Sequence, residues 1–405
     1  MNLIRSLTLT GCLAAVALAA GGCGGSDSGR NPALPPGALS APLDTSFSYS
    51  GASFAVVAMG ELNQPLNTFW QLLVRPAGKS RWLLVTPPGV ADNGGLVVDA
   101  PPGARAGAIE VGFRPSVDLA FSPIAATPPN RIAWNAPGLL PGGFDDAPDS
   151  FAGGEAGTAR FALVATGGGE VLTGTGSSSN WSVIVTRHSL AATLAGRSCG
   201  IDVLTALAVA SSGEPVVGAA CAHPVAGVFV RDGRRWVSAP LRLPVAFGKG
   251  ATSVLRVTTL PGTNGRLMGL VSGGGSAHQV AAVWGPAGAR SGGSTGDWSS
   301  SAAFPLGKGA RVVTTGFGPQ GQVAVAWSTG RGSLRAAVDA GPGRRWQVLS
   351  APPKGTEALV IGRAGSVDAL AVSSTLLVDW QLQPRTGRWK AVQRMRVPIE
   401  LGSSS

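Results

Sequence analysis

Three apolar runs with partial period-two alternation lie close together in the last third of the chain, at residues 312–317, 323–327 and 334–338. Glycine-rich turns follow them at 318–321, 330–332 and 341–345. A fourth run then begins at Trp346. Alternation of this kind is typical of extended strands with one apolar face, and glycine-rich stretches form the tight turns between them. The pattern predicts a four-stranded antiparallel meander.

One meander has an apolar face and two unpaired edges, so it needs further sheets to be stable. The 405 residues are 44% hydrophobic and only 13% charged, which indicates a packed domain. The 60 glycines and 30 prolines are spread along the chain without a long linker in its body. Past the first thirty residues, no amphipathic run of helical length is free of them. We therefore expect one large all-β domain with almost no helix.

A tryptophan that follows a turn rich in glycine or charge recurs at intervals of 43 to 62 residues. The seven positions are Trp82, Trp134, Trp181, Trp236, Trp298, Trp346 and Trp389. This interval has the size of a propeller blade and exceeds a leucine-rich or ankyrin repeat. The spacing predicts an all-β, seven-bladed β-propeller of four-stranded antiparallel blades over residues 49–402, with six or eight blades as alternatives. We expect each Trp to cover the turn between the third and fourth strands and to pack toward the next blade.

Two stretches resemble known propeller repeats. Asp232-Gly233-Arg234-Arg235-Trp236 is similar to the Asp-box turn of sialidase-like propellers. Ala337-Val338-Asp339, with Gly343 and Trp346, resembles the repeat of quinoprotein-type propellers, which occur in outer-membrane assembly lipoproteins. The resemblance implies a propeller and leaves the subfamily open. A sialidase mechanism would need a tyrosine nucleophile, and the only tyrosine, Tyr49, stands at the edge of the N-terminal tether, which makes this mechanism improbable.

The first predicted blade contains three strands, at 54–59, 69–74 and 82–86, and so lacks its innermost strand. The segment 397–401 follows the last Trp unit at a suitable distance to supply that strand. We therefore predict that a C-terminal strand closes the ring, which would remove the free edges of the first and last blades.

The N-terminus has the pattern of an export signal, with Arg5, an apolar stretch and small residues that lead to Cys23. Ala20-Gly21-Gly22-Cys23 resembles the lipobox of bacterial lipoproteins, which implies a signal peptide over 1–22 and acylation of Cys23. The alternatives are a lipobox ending at Cys12 and an ordinary secreted protein. Residues 23–48 are rich in Gly, Ser and Pro and read as a tether. We expect a membrane-anchored lipoprotein on the periplasmic or outer face of the envelope.

The chain is basic, with a formal net charge of +11. No run of five basic residues and no nucleic-acid-binding motif occurs, so we expect no nucleic-acid partner. Basic residues recur in the turns that precede the tryptophans: Lys79, Arg81, Arg234, Arg235, Arg344, Arg345, Arg385 and Arg388. Equivalent turns of a propeller share one face. We expect this basic face to bind an envelope protein or an anionic glycan or lipid surface. The alternative is that these arginines are simply solvated and have no partner.

The sequence contains few residues in patterns typical of catalytic or metal-binding sites. His188, His223 and His278 lack metal-ligand spacing, and neither a nucleophile elbow nor a phosphate loop is present, so we expect no catalytic residue, metal or cofactor. The acidic residues Asp145, Asp146, Asp149 and Glu155 indicate a solvated loop, with a calcium site as the alternative.

The two body cysteines, Cys199 and Cys221, flank a predicted hairpin turn in an exported chain, which favours a disulfide over two buried thiols. The function predicted from these features is a non-catalytic binding or assembly scaffold of the cell envelope. The alternative is a glycoside hydrolase or lyase acting on envelope polysaccharide. That enzyme would use carboxylates at the central funnel, for which the candidates are Asp118, Asp202 and Asp368.

Overall fold

The structure is a computed structural model. It describes residues 53–60, 68–76, 78–85, 96–99, 108–113, 118–123, 140–141, 150–153, 160–164, 169–174, 181–210, 212–259, 266–273, 278–285, 298–329, 332–362 and 365–398. Most of the described residues lie in strands, and the strands form successive antiparallel meanders, which we call blades 1 to 7.

Blades 1 to 3 occupy the first part of the described chain. Blade 1 contains β1 (Ser53–Gly60), β2 (Thr68–Arg75) and β3 (Leu83–Leu84). Blade 2 contains β4 (Leu96–Asp99), β5 (Ala108–Phe113), β6 (Asp118–Pro123) and β7 (Leu140–Pro141). Blade 3 contains β8 (Ser150–Gly153), β9 (Arg160–Val164), β10 (Glu170–Gly174) and β11 (Trp181–Thr186).

Two short helices, α1 (Arg187–Ala191) and α2 (Leu194–Cys199), join blade 3 to blade 4. Blade 4 contains β12 (Ile201–Val209), β13 (Pro215–Cys221), β14 (Val228–Asp232) and β15 (Arg235–Ser238). A 3-10 turn (Val245–Phe247) leads to blade 5, with β16 (Thr252–Thr259), β17 (Leu267–Gly273), β18 (Gln279–Trp284), β19 (Ser299–Ser300) and β20 (Phe304–Pro305).

Blade 6 contains β21 (Arg311–Phe317), β22 (Val323–Ser328), β23 (Leu334–Asp339) and β24 (Trp346–Val348). Its strands and turns lie where the alternation of the sequence predicts them. Blade 7 contains β25 (Thr356–Ile361), β26 (Val367–Ser373), β27 (Leu376–Leu382) and β28 (Trp389–Arg396). Strands pair in chain order within each blade, except that in blade 5 both β19 and β20 pair with β18. Blades 4 and 5 are additionally joined, because β13 pairs with β16 at Ala220 and Cys221.

The direction of β1 shows which strand of blade 1 it is. The Gly60 N–H donates to the Ser374 carbonyl, which lies between β26 and β27, and Arg75, next to Ser53 in the β1–β2 register, contacts Asp368 near the start of β26. β1 therefore runs parallel to β26, the second strand of blade 7. Since equivalent strands of neighbouring propeller blades run parallel, β1, β2 and β3 are the second, third and fourth strands of blade 1.

The predicted closing strand, 397–401, lies mostly outside the described residues. Its first residue, Val397, is buried between blades 7 and 1, and its N–H donates to the Thr375 carbonyl. Val397 thus lies near Gly60, the last residue of β1. A strand that runs antiparallel to β1 would begin its pairing at this end. Closure of the ring by this segment stays a prediction, and so does the blade number of the complete ring.

Apolar side chains fill the space between neighbouring blades, and the tryptophans of the fourth strands belong to these cores. Trp346 of blade 6 packs against the core between blades 5 and 6, and Trp389 of blade 7 packs against the core between blades 6 and 7. The Trp346 indole N–H donates to Ser301 Oγ (3.0 Å), and that of Trp389 donates to the Ser350 carbonyl (3.1 Å). The prediction that each Trp packs toward the next blade is therefore wrong: these two pack toward the preceding blade. Both indole N–H groups have their acceptor just after the fourth strand or its first segment in the preceding blade, at Ser301 and Ser350, which accounts for this direction.

The segment between blades 3 and 4 contains two short helices, α1 and α2, which the sequence analysis does not predict. Thr186 and Thr193 cap their N-termini, and Gly200 ends α2 in the left-handed region (φ 62°). This turn brings Cys199 next to the end of β13, where it forms the predicted disulfide with Cys221 (Cα–Cα 4.8 Å). Both cysteines are buried in the core between blades 3 and 4. None of the helices within the described ranges has the length and apolar character needed to traverse a bilayer.

Candidate functional site

The basic residues of the third-to-fourth-strand turns are all exposed, and we call them the basic rim: Lys79, Arg81, Arg234, Arg235, Arg344, Arg345, Arg385 and Arg388. The turns that carry them follow β2, β14, β23 and β27. These strands are the third strands of blades 1, 4, 6 and 7. The turns therefore lie on one face of the fold. Left-handed glycines shape all four of these turns, at Gly78, Gly233, Gly343 and Gly387.

The described chain begins on the same face. Ser53, the first residue of β1, is paired with Arg75, the last residue of β2. The turn that carries Lys79 and Arg81 follows directly after Arg75, and the Lys79 N–H closes it by donating to the Pro76 carbonyl (3.0 Å). The N-terminal side of the chain thus enters blade 1 beside the basic rim.

Basic residues also occur on the opposite face, in the links that lead from a fourth strand to the next blade. Arg242, Lys249, Lys308 and Lys354 are exposed there. Charge alone therefore does not distinguish the two faces. The point at which the chain enters blade 1 does distinguish them.

The carboxylates proposed for the enzymatic alternative lie in three different blades, on the third strand of blade 2, the first strand of blade 4 and the second strand of blade 7. Asp368 is fully buried between blades 7 and 1, where it forms an ion pair with Arg75, so its placement at an open funnel is wrong. Asp202 is exposed at the start of β12, and its carbonyl accepts a hydrogen bond from Arg187 (3.0 Å). Asp118 lies on β6, the third strand of blade 2. General acid–base catalysis needs two carboxyl groups that both reach one substrate.

The histidines and the predicted acidic and lipid sites lie apart from the basic rim or outside the described residues. Within the described ranges, no group of three or more His, Cys, Asp or Glu side chains could hold a metal ion. His188 lies on α1, His223 follows β13, and His278 precedes β18. Cys23, the tether and the acidic loop with Asp145, Asp146, Asp149 and Glu155 lie outside the described residues.

Sequence reasoning missed a buried polar cluster at the interface between blades 7 and 1. One Arg75 guanidinium nitrogen donates to Asp368, and the guanidinium lies over the Trp82 ring, with Cζ 4.8 Å from the centroid. Asp379, on the neighbouring strand β27, faces the same interface and is fully buried. Neither Asp379 oxygen has a hydrogen-bond partner, and the second Asp368 oxygen is also unpaired.

The side-chain amide of Gln393 completes this cluster. Its Nε2 donates to the Trp82 carbonyl (2.9 Å), and its Oε1 accepts from the Trp82 N–H (2.7 Å). Gln393 lies opposite Asp379 in the β27–β28 register, so the two side chains share a face. We call Arg75, Trp82, Asp368, Asp379 and Gln393 the closure cluster.

The two carboxyl groups of the closure cluster, Asp368 and Asp379, differ in the charges and hydrogen-bond donors around them. Burial, and then the neighbouring Asp368 charge, raises the pKa of Asp379 to about 7, while Arg75 and Trp82 lower it. The Trp82 indole N–H is close enough to act on the charge of Asp379, although its geometry falls short of a hydrogen bond. Burial also raises the pKa of Asp368, against the opposing effect of Arg75. Because Asp368 holds the guanidinium directly, we take Asp368 as the ionised member and Asp379 as the protonated one.

A signal for this cluster does exist in the sequence. Asp368 and Asp379 each stand inside an apolar strand, between Val367 and Ala369 and between Val378 and Trp380. A carboxylate inside a buried strand is costly unless it is paired or protonated. Such positions therefore predict buried carboxyl groups, but they do not identify the partner.

No family model matches the chain, and no curated protein matches it in sequence. Among solved structures, it is similar to a putative 6-phosphogluconolactonase from Bacteroides uniformis, with 10% identity over 86% of this chain and 97% of that chain (TM-score 0.49). It is similar to a protein from Lactobacillus plantarum, with 10% identity over 87% and 98% (TM-score 0.48). The β-propeller domain of Cps50 (Swd1) from Myceliophteria thermophila gives 11% identity over 86% and 95% (TM-score 0.46).

The chain is a β-propeller. The sequence-based prediction of an all-β propeller is thus confirmed. At these identities the similarity concerns the fold alone.

Proposed function

We propose that this propeller is a non-catalytic binding or assembly scaffold of the cell envelope, held by an acylated Cys23, with its basic rim turned toward the anchoring surface. One observation carries the proposal. The chain enters blade 1 at Ser53, whose strand partner Arg75 leads directly into the turn with Lys79 and Arg81. A tether attached there would keep the basic rim facing the surface.

The tether supports this orientation by its length. A flexible coil of about 25 residues has an r.m.s. reach of roughly 25 to 30 Å. That distance lets the domain turn and contact an anionic surface, because each basic residue near such a surface contributes up to about 1 kcal/mol. The ligand class proposed is an anionic headgroup surface, and inter-blade loops would remain available to an envelope protein.

The test uses the mature chain with Cys23→Ser, so that acylation cannot hold it, and vesicles of phosphatidylcholine with or without phosphatidylglycerol. We expect binding only to the anionic vesicles, with loss of binding at high salt because exposed charges are screened. Replacing Arg234, Arg235, Arg344 and Arg345 by Ser should weaken partitioning by up to several hundred-fold, from up to about 1 kcal/mol per residue.

The opposite face provides a charge-matched control. Replacing Arg242, Lys249, Lys308 and Lys354 by Ser removes the same charge from the other rim. The proposal predicts a much smaller effect for this variant. Equal losses in the two variants, or no loss in either, would overturn the proposed orientation.

A further inference from the structure

The charges of the closure cluster do not balance if all its groups are ionised. Two carboxyl groups, Asp368 and Asp379, share one guanidinium, that of Arg75, and both carboxyl groups are fully buried. Burying an unpaired charge costs several kcal/mol, so one of the two carboxyl groups has to hold a proton. Asp379 fits this role because neither of its oxygens accepts a hydrogen bond.

Among the described residues, the elements around Asp379 provide no second cation within the buried interface. β1 contains no charged residue. On β28, Lys390 lies opposite Gln381, on the sheet face that also carries Asp379, but Lys390 is exposed. Arg81, which precedes Trp82 in the chain, is also exposed. From β25, Glu357 lies at a bulge two strands away from Asp379 and would add negative charge. Ionisation of Asp379 therefore leaves a negative charge without a partner at the junction of the first and last blades.

This junction differs from the other interfaces between blades. Of the buried charged residues in the described chain, which are Arg75, Asp339, Asp368 and Asp379, three belong to the closure cluster. The fourth, Asp339, accepts a hydrogen bond from the Gly341 N–H in blade 6 (2.9 Å). The place where the ring joins its ends is thus also the place where buried charge is concentrated.

We propose that the closure cluster is a pH-sensitive latch of the ring, in which Asp379 takes up a proton to close the junction between blades 1 and 7 and releases it when the junction opens. The step is a simple proton exchange with solvent: the Asp379 carboxylate gains or loses one proton, and no other bond changes. The latch is tight at mildly acidic pH and loosens as pH rises.

The size of the effect follows from proton linkage. A carboxyl group that titrates near pH 7 when closed and near pH 4 when exposed binds its proton more strongly in the closed state. Closing therefore becomes about tenfold less favourable between about pH 6 and about pH 8. The change should be local, because the groups that drive it lie at one junction.

The experiment is hydrogen–deuterium exchange of the intact mature chain at about pH 6 and about pH 8, corrected for intrinsic exchange rates. We expect the constant for local opening of peptides from β1 and from β26 to β28 to rise about tenfold, while the constant for local opening of β13 and β17, which excludes exchange through global unfolding, remains unchanged. Asp379→Asn, a neutral isostere, should remove this rise. Asp339→Asn makes the same chemical change at a buried carboxyl group outside the closure cluster and should leave the rise intact.

Equal pH responses of the closure strands and of β13 and β17 would overturn the proposal, and so would an undiminished rise in Asp379→Asn. Infrared spectroscopy of the wild-type chain labelled with 13C-aspartate gives a result that does not depend on variants. We expect a protonated buried carboxyl band at about pH 6 that is lost as pH rises past about 7. Absence of such a band at about pH 6 would also overturn the latch.

Discussion

Gln393 binds the backbone of Trp82 twice, although 311 residues separate them along the chain. The Gln393 side-chain amide thus pairs with both backbone groups of Trp82, as a residue of a neighbouring strand does inside a sheet, and it joins blades 7 and 1. We expect Gln393→Ala to destabilise the protein by about 2 kcal/mol, because it leaves the N–H and carbonyl of the buried Trp82 without these partners. Chemical denaturation measures this change.

Gln393→Glu provides the matched control. Glutamate keeps the shape and can accept from the Trp82 N–H, but its carboxylate cannot donate to the Trp82 carbonyl, and it adds a negative charge beside Asp379. The variant should therefore also be destabilised, and more at high pH than at low pH. A Gln393→Ala variant as stable as wild type would contradict a role in closure.

Arg75 is the only cation in the closure cluster, so its loss should be severe and dependent on pH. Arg75→Gln should cost about 3 to 5 kcal/mol at mildly alkaline pH, where it leaves buried carboxylates without a cation. The loss should shrink at acidic pH, since both carboxyl groups can then be protonated. Denaturant titrations at the two pH values test this, with Arg335→Gln, an exposed arginine of blade 6, expected to change stability by less than about 0.5 kcal/mol.

Global stability should fall as pH rises from mildly acid toward neutral. The pKa values of Asp339, Glu357, Asp368 and Asp379 are all raised in the folded protein, with burial as the main cause. The folded state therefore holds more protons than the unfolded state between about pH 4 and pH 7, and stability decreases with pH in this window. Thermal unfolding followed across this range should show a falling Tm, and Asp379→Asn should flatten the fall. A Tm that rises through the window would contradict these pKa directions.

Trp346 links blade 6 to blade 5 through its indole N–H and through its ring. It donates to Ser301 and lies 5.2 Å from the Phe304 ring centroid. Trp346→Phe keeps an aromatic ring but loses the hydrogen bond, so we expect a loss of about 1 kcal/mol. Trp346→Ala should cost about 2 to 3 kcal/mol, less than a fully buried Trp would, because the side chain is half-buried. Denaturation midpoints of the two variants separate these contributions, and equal losses would show that the hydrogen bond dominates.

The disulfide joins the last residue of α2, Cys199, to the last residue of β13, Cys221, and so closes a loop that contains β12 and β13. For a sequence separation of 22 residues, its loss should lower the free energy of unfolding by about 3 kcal/mol. The double variant Cys199→Ala/Cys221→Ala should show this loss, and a reducing agent should destabilise the wild type but not the variant. A wild type unaffected by reduction would contradict a stabilising disulfide.

Much of the fold follows from local sequence. The alternation of blade 6 and its glycine turns predict β21 to β24 within one or two residues, because strands and turns depend on neighbouring side chains. The recurrent tryptophans predict the repeat length, and the positions of Cys199 and Cys221 predict their pairing. The α1 and α2 helices were missed because each is shorter than a helix that periodicity can reveal; Thr193 and Gly200, which cap α2, are the local signals that could have found it.

The tertiary structure decided what lies between blades. The sequence shows tryptophans at turns, but only the stacking of blades shows that Trp346 and Trp389 pack against the preceding blade. It shows Arg75, Asp368 and Asp379 as isolated charges, and only closure of the ring brings them together, since 293 residues separate Arg75 from Asp368. Local propensity acts over a few residues, whereas burial and charge pairing depend on contacts that exist only once the first and last blades meet.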